Sequence, residues 1–389
     1  MREVMERIEK MADFLREQSP ESERLGKLTD ATAQRLRESG VIRLLQPKEF
    51  GGYEAHPAEF FEAVLKVGSF CGSAGWVAGV VGVHPWQLGQ LPIEVQRELW
   101  GDDPDTWIAS PYAPFGRARP VEGGYLFSGR WPFSSGTDHC DWVILGGLVT
   151  DENGEVDRRP GNERHFLLPR GDYTIHHDSW EVLGLKGTGS KDVSVKDVFV
   201  PEYRVIDPKG FVDGTQARSV GRDNPIYHVP FGSIFPAAIS CATLAMAEGA
   251  LAAYVELTRG RVTVIGNVTK TDPHHLRELG EASADIEIGR RVFIDDWKRM
   301  VDAAAKGRVP DALRLETRRN QVRAVRRAVD AVDRLFAIAG GNSLRLDQPL
   351  QRFWRDLHAG MNHICNVAEP VYDSYGKHTF GLEPNPRGW

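Results

Sequence analysis

The fold is decided by two segments of the chain, Trp131-Pro-Phe-Ser-Ser-Gly-Thr-Asp-His-Cys-Asp-Trp142 and Gly184-Leu-Lys-Gly-Thr-Gly-Ser190. The first places the hydroxyls of Ser134 and Ser135 beside Gly136 at a predicted strand end, and the second is a glycine-rich turn that leads into an alternating strand. Serine hydroxyls and backbone amides presented in this way suit a flat polar heterocycle such as a flavin. They do not suit a metal ion, and the chain contains no GxxxxGK loop of the kind that cradles phosphates.

The composition is that of a globular protein with more than one packed unit. A chain of 389 residues exceeds one simple core, so two or three units are expected. A formal charge of −6 with no basic stripe argues against a nucleic-acid partner. The four cysteines have no CxxC spacing, which favours reduced thiols over a disulfide framework or a zinc site. We predict no metal site.

The sequence gives no sign of export or membrane insertion. The N-terminus, residues 1–7, is a charged amphipathic helix start without the apolar core of a signal peptide. We find no run that approaches the roughly 20 apolar residues of a membrane span. A cytoplasmic protein without membrane contact is therefore expected.

The periodicity changes twice along the chain, which predicts three domains. These are an N-terminal helical domain over 1–118, a central β-domain over 119–215 and a C-terminal four-helix bundle over 216–389. The fold class is thus α+β and mostly α. Strands are predicted at 125–131, 142–149, 165–169 and 193–200, with a polar loop at 150–163. Helices of the bundle are predicted at 236–258, 279–305, 311–339 and 350–364.

Prolines are taken as helix starts in two places. Ser19 and Pro20 predict an N-cap and first helical position for a helix that Ser39 and Gly40 end, and Pro236 predicts the start of the first bundle helix.

Several common catalytic frameworks are absent. The glycines of segment 184–190 follow a GxxGxG order and precede a strand, so they do not form a nicotinamide-binding loop. The adjacent His274 and His275 diverge on a helix start, which favours a solvated surface over a metal pair. The chain has no HExxH motif and no GxSxG nucleophile elbow.

The motifs resemble those of the acyl-CoA dehydrogenase fold across essentially the whole chain. Its N-terminal, middle and C-terminal signatures look like residues 36–52, 184–190 with 198–201, and 352–356. Within this fold, segments 133–142 and 82–86 are closer to the oxygenase components of two-component flavin-dependent monooxygenases (group D). That branch includes the 4-hydroxyphenylacetate hydroxylases and the secosteroid phenol hydroxylases.

The chain lacks sequence features that the true dehydrogenases of this fold need for their activity. Those enzymes need a carboxylate base and a YEGT-like cofactor segment after the last helix. The corresponding region, residues 362–370, contains a histidine and no such segment. Glu369 stands beside a proline and is disfavoured as a base.

The resemblance implies an oxygenase that receives reduced FMN or FAD by diffusion from a separate flavin reductase. Reaction of the reduced flavin with O2 then gives a C4a-hydroperoxide, whose terminal oxygen attacks an electron-rich carbon of a small aromatic substrate. The resemblance also implies a homotetramer.

Candidate catalytic residues follow from the same resemblance. Ser134 or Ser135 would hold flavin N5, with the pattern of the fold slightly favouring Ser134, although both could simply cap a strand end. His363 is chosen as the acid–base group near the phenol oxygen because an imidazole titrates close to neutral pH. His358 is its rival, and because five positions on a helix separate the two, only one is expected to enter the pocket.

Further residues are expected to contact the cofactor or the substrate. The expected flavin contacts are Tyr112, Ser134, Ser135, Gly136, Thr188, Ser190, Arg261, Gly341 and Asn342, the last three across a subunit boundary. The expected substrate contacts are Trp86, Tyr112 and His358, with His84 as an additional catalytic residue in the pocket.

Three alternatives stay open at the level of sequence. The same oxygenating chemistry could act on nitrogen or sulfur of an amine, an amino-sugar or a thiophene. The chain could be an acyl-CoA dehydrogenase with tightly bound FAD, or a non-catalytic relative of the flavin fold.

Overall fold

A computed structural model describes residues 1–151, 154–156, 161–263 and 266–385. Helices occupy both ends of the described chain and a sheet occupies the middle, so the predicted α+β fold class is confirmed. The predicted loop 150–163 lies partly outside the described residues, at 152–153 and 157–160.

The N-terminal region consists of seven helices. They are α1 (Arg2–Lys10), α2 (Ala12–Leu25), α3 (Asp30–Ser39), α4 (Pro57–Phe70), α5 (Gly72–Gly82), α6 (His84–Leu88) and α7 (Ile93–Trp100). The predicted stop at Ser39 and Gly40 is confirmed, because α3 ends there. The predicted start at Pro20 is wrong, because Pro20 lies inside α2 and the helix breaks at Gly26, which has a φ of +62°. A new helix then starts behind Thr29, whose side chain accepts a hydrogen bond from the Thr32 amide.

The central region forms one mixed sheet. Its strands are β1 (Ile108–Ala109), β2 (Gly116–Val121), β3 (Gly124–Ser134), β4 (Trp142–Val149), β5 (Glu163–Pro169), β6 (Thr174–His176), β7 (Lys191–Pro201) and β8 (Val205–Ile206). The strand order is β6-β7-β3-β2-β4-β5-β8, and β1 pairs with β4. The long β3–β7 pair is antiparallel and brings the two deciding segments together, because Ser134 lies opposite Lys191.

The C-terminal region is built around one long helix. After the short α8 (Thr215–Ser219) come α9 (Phe231–Arg259), α10 (Pro273–Ala304), α11 (Asp311–Ile338), α12 (Pro349–Met361) and α13 (Glu369–Thr379). Helix α9 packs against α11 and α12 and also against α4 and α5 of the N-terminal region. The four predicted bundle helices are therefore present, but α9 begins before Pro236, and α13 was not predicted.

Helix α9 also corrects the expectation that no segment could span a membrane. By length and composition, one helix of the described residues qualifies, and it is α9. Its most apolar window is 78% buried inside the protein, so α9 is the central helix of the core.

Candidate active site

A cavity of about 600 Å³ lies where the three regions meet. Helices α5 and α9 supply apolar walls through Trp76, Val80, Phe235 and Ile239, and α12 contributes one face. The other lining residues are His84, Ser110, Phe133, Ser135, Trp180, Val182, Leu183, Gly184, Leu185, Ser190, Arg355, His358, Ala359, Asn362, His363 and Ile364. Apolar walls with a few polar groups are typical of sites for aromatic ligands.

The end of strand β3 turns Ser135 into this cavity. Phe133 has a φ of +65°, and the pairing of β3 with β7 is irregular between Trp131 and Ser134. The Ser135 hydroxyl accepts a hydrogen bond from Trp76 Nε1 at 3.1 Å and lies 2.6 Å from Ser190 Oγ.

Ser134 does not reach the cavity, so the structure does not support the slight preference for it. Its side chain is fully buried, and its hydroxyl has no hydrogen-bond partner among the described residues. The left-handed backbone at Phe133 breaks the alternation of the strand, and this is why consecutive serines have such different surroundings.

The glycine-rich turn 184–190 packs directly on this serine segment. The Gly136 amide donates to the Thr188 carbonyl at 2.9 Å, and Gly136 has a φ of +73°, which a residue with a Cβ rarely adopts. Ser190 lines the cavity as predicted, whereas Thr188 is buried behind it, with its hydroxyl 2.7 Å from Ser190 Oγ. Gly136 and Thr188 thus support the site, and neither lines the cavity.

His84 lies at the wall of the cavity with both ring nitrogens engaged. Nδ1 is 2.6 Å from the Ile108 carbonyl oxygen, which can only accept, so Nδ1 carries the proton. Nε2 is then an acceptor, and the hydroxyl of Ser110 donates to it. Burial lowers the pKa of His84 to about 4, which keeps the ring neutral at physiological pH.

Ser110 is the residue that sequence reasoning missed. It follows β1, a strand of two residues that is too short to give a periodic signal. The available clue was that Ser110 follows a buried Ile-Ala pair and precedes a proline. Polar side chains in the loops that follow strands often belong to binding or catalytic sites.

His363 also lines the cavity, and its orientation is fixed by its own turn. Nδ1 accepts a hydrogen bond from the Cys365 amide at 3.1 Å, so the neutral ring carries its proton on Nε2. The ring packs edge-on against Trp76 with centroids 5.7 Å apart. Burial lowers the pKa of His363 to about 4.

His358 lines the cavity too, which corrects the expectation that only one of the two histidines would do so. The expectation assumed one continuous helix, but α12 ends at Met361 and His363 lies beyond it. His358 Nδ1 is 2.8 Å from the Trp354 carbonyl oxygen, and Nε2 is 3.3 Å from the Asp333 carboxylate.

Two predicted pocket residues lie behind the cavity wall. Trp86 is buried, and its indole N–H donates to the Ile226 carbonyl at 2.6 Å. It does not line the cavity, because a side chain two positions after His84 points to the other side of helix α6. Tyr112 packs on Phe235 and on the ring of His84 and donates to Gln87 at 2.7 Å. Burial raises the pKa of the Tyr112 hydroxyl.

The three residues expected to act across a subunit boundary are close in the chain fold but do not line the cavity. Arg261 donates to the carbonyls of Ile338 and Ala339 at the end of α11, directly before Gly341 and Asn342. Within a single chain, Arg261, Gly341 and Asn342 therefore lie apart from the residues that line the cavity.

The residues of the cavity fit a flavin in chemical terms. A tricyclic aromatic ring would pack on apolar walls such as Trp76 and Ile239, and the hydroxyls of Ser135 and Ser190 lie at one edge of the cavity to meet its polar atoms. No group of His, Cys, Asp and Glu among the described residues has the arrangement of a metal site.

Comparison with known proteins agrees with this geometry. Residues 237–367 match the family described as acyl-CoA dehydrogenase, C-terminal domain. The chain is 47% identical over 383 residues to a pigment production hydroxylase of Rhodococcus erythropolis, covering 98% of this chain and 97% of that protein. It is 42% identical to the flavin-dependent monooxygenase oxygenase subunit HsaA of Rhodococcus jostii, covering 97% and 98%. The crystal structure of 3-HSA hydroxylase from Rhodococcus sp. RHA1 superposes with a TM-score of 0.93 at 41% identity, covering 100% of this chain and 99% of that one.

The fold and the site therefore define a flavin-dependent monooxygenase with the acyl-CoA dehydrogenase fold. More narrowly, the chain belongs to the family of oxygenase components of two-component systems, as its sequence predicted, and it uses reduced flavin and O2.

Proposed function

We propose that this oxygenase hydroxylates the ring of a phenol and that Ser110 and His84 receive the phenolic proton. The observation that supports this most directly is the hydrogen-bonded pair of Ser110 and the buried His84 on the cavity wall. Because the Ser110 proton is directed at His84 Nε2, its oxygen is free to accept a hydrogen bond from a substrate hydroxyl. The phenol and His84, whose pKa is about 4, both stay neutral until the ring is attacked. The phenolic hydroxyl then becomes strongly acidic, and its proton moves to Ser110 as the Ser110 proton moves to His84.

Ser135 and His363 have different tasks in this proposal. When bound, reduced flavin supplies the chemistry that activates O2 and delivers one oxygen atom. Ser135 would hold the flavin ring at N5, and His363 would offer a hydrogen bond from Nε2–H to an oxygen in the cavity. Since its Nδ1 is occupied by the Cys365 amide, His363 acts as a donor and not as a base.

The apolar walls exclude water from the reacting atoms. Trp76, Val80, Phe235 and Ile239 form apolar walls of the cavity, so polar interactions beside them are stronger than in water. A reactive oxygen species held there would be protected from loss as hydrogen peroxide.

The test uses photochemically reduced FMN or FAD, oxygenated buffer and a panel of phenols. The wild type should form a hydroxylated phenol. The Ser110→Ala and His84→Gln variants should lose product by roughly 100-fold while hydrogen peroxide release rises. Full product formation by both variants would contradict the role of this pair.

We also propose that the chain works as a homotetramer in the cytoplasm with a separate flavin reductase. Support for an assembly comes from three exposed apolar side chains that line the cavity, Phe133, Leu183 and Ile364, which are 66%, 71% and 81% exposed. Such side chains around a cavity are typical of a surface that a second subunit covers.

A further inference from the structure

A chain of four hydrogen bonds runs from the cavity to the backbone of the glycine-rich turn. Trp76 Nε1 donates to Ser135 Oγ, which lies 2.6 Å from Ser190 Oγ. Ser190 Oγ in turn lies 2.7 Å from Thr188 Oγ1, which donates to the Leu185 carbonyl oxygen at 2.7 Å.

The direction of this chain follows from its two ends. An indole N–H can only donate and a carbonyl oxygen can only accept, and each hydroxyl has one proton. The Thr188 proton is used on Leu185, so the Ser190 proton must be directed at Thr188. The Ser135 proton must then be directed at Ser190.

Ser135 is consequently left with a lone pair and no proton for a ligand in the cavity. One of its lone pairs accepts from Trp76, and the other has no partner among the described residues. Because Ser135 lines the cavity, it can accept a hydrogen bond from a ligand but cannot donate one without reversing the whole chain.

The backbone end of the chain is held in place by a buried carboxylate. Leu185 has a φ of +57°, and its amide donates to Asp356 Oδ1 at 2.6 Å. The Leu185 carbonyl also accepts from the Thr188 amide at 3.1 Å. The acceptor that orients the chain is thus part of a rigid turn.

We propose that Thr188 is a positioning residue that makes the site selective for reduced over oxidised flavin. This inference rests on the proposed function, in which Ser135 meets flavin N5. Reduced flavin carries a proton at N5 and donates, whereas oxidised flavin has a bare N5 that accepts. A serine fixed as an acceptor matches the reduced ring and faces the oxidised ring with two lone pairs opposed. The site would therefore bind reduced flavin more tightly than the oxidised flavin that the reaction leaves behind.

The test compares the dissociation constants of oxidised and reduced FMN for the wild type, Thr188→Val and Thr188→Ser. Reduced FMN is titrated anaerobically and oxidised FMN in air, each followed by flavin absorbance or fluorescence. We expect the wild type to prefer reduced FMN. Thr188→Val, which lets the Ser190 and Ser135 protons turn, should lower that preference about tenfold, the equivalent of one hydrogen bond. Thr188→Ser, which keeps the hydroxyl, should retain the preference.

The outcomes separate this inference from the proposed function. An unchanged preference in Thr188→Val, or an equal loss of affinity for both forms, would overturn the role of Thr188 alone. If the wild type binds neither form, the proposed function itself fails. Should Thr188→Val not fold, Ser190→Ala provides the same test, because it removes the acceptor of the Ser135 proton and should lower the preference to the same extent.

Discussion

At the scale of single residues, the site depends on where each proton is held. Carbonyl and amide groups of the backbone fix the neutral forms of His84 and His363 in opposite senses, with the proton on Nδ1 in the first and on Nε2 in the second. One histidine can therefore receive a proton while the other offers one. Desolvation lowers the pKa of both rings to about 4, so both are neutral near neutral pH until the reaction delivers a proton to His84.

The adjacent serines provide a matched pair of variants. Ser135→Ala should weaken the binding of reduced FMN about tenfold, since it removes the acceptor in the cavity. Ser134→Ala should leave the dissociation constant unchanged, because the Ser134 hydroxyl is buried without a partner and away from the cavity. Anaerobic titration measures both. A larger effect from Ser134→Ala would show that the assignment is reversed.

The desolvated ring of His363, which is half-buried in the cavity wall, predicts how stability depends on pH. Its pKa is about 4 in the folded chain and about 6.5 when unfolded, so the unfolded state binds more protons between these values. The stability associated with the neutral ring is complete above about pH 6.5 and is lost as the pH falls toward 4. Between pH 7 and 5, the wild type should lose about 2 kcal/mol more unfolding free energy than His363→Gln.

Denaturant unfolding at the two pH values measures this difference. Titration of other groups is shared by the two proteins, so the comparison isolates the ring. An identical loss in both proteins would mean that the folded chain does not lower the pKa of the His363 ring.

At the scale of elements, the contact between helix α12 and the turn 182–185 shapes the cavity. Arg355 donates to the Leu183 carbonyl at 2.6 Å, and Asp356 accepts from the Leu185 amide. Burial raises the pKa of Asp356 to about 6. A Cβ at Gly184 would lie 2.2 Å from the Arg355 carbonyl oxygen, so the turn lies directly on the helix backbone.

Gly184→Ala should therefore push the turn away from α12. We expect a loss of about 1–3 kcal/mol in stability, seen as a lower thermal midpoint, together with weaker flavin binding. Gly171→Ala is the control, because a Cβ there would meet nothing within 4 Å. Equal thermal midpoints and flavin affinities for the two variants would contradict the close contact.

Element boundaries show which parts of the fold the sequence could predict. The long periodic segments were predicted correctly, including strands β3, β4, β5 and β7 and the four bundle helices. The sequence predicts helix starts at Pro20 and Pro236, yet both prolines lie inside helices whose packing offsets the lost hydrogen bond. Strands of two or three residues, such as β1 and β6, have too few positions to show a period.

At the scale of the whole molecule, the site is assembled from regions that are distant in sequence. The residues Ser135, His84 and His363 were predicted to be functional and do share one cavity. Other side chains hold the parts of the site together through single hydrogen bonds between distant segments. Ser110 bonds to His84, and Asp356 accepts from the Leu185 amide. Such contacts add nothing to the periodicity of an element, so the sequence offers at most a local clue to them, such as the strand end before Ser110.

The proposed tetramer is tested by measuring mass in solution. Light scattering coupled to size-exclusion chromatography should give four times the chain mass of 43.4 kDa. Leu183→Glu, which places a charge on the exposed apolar surface at the cavity, should reduce that mass. A monomer mass for the wild type at micromolar concentration would contradict the proposal.

This oxygenase should transfer one atom of O2 to a phenol. The most direct measurement is mass spectrometry of the products formed from photoreduced FMN, a phenol panel and ¹⁸O-labelled O2. We predict a hydroxylated phenol carrying one labelled oxygen atom, formed only when the protein is present. Return of all the reducing equivalents as hydrogen peroxide with no labelled phenol, alongside dehydrogenation of an acyl thioester, would contradict the account.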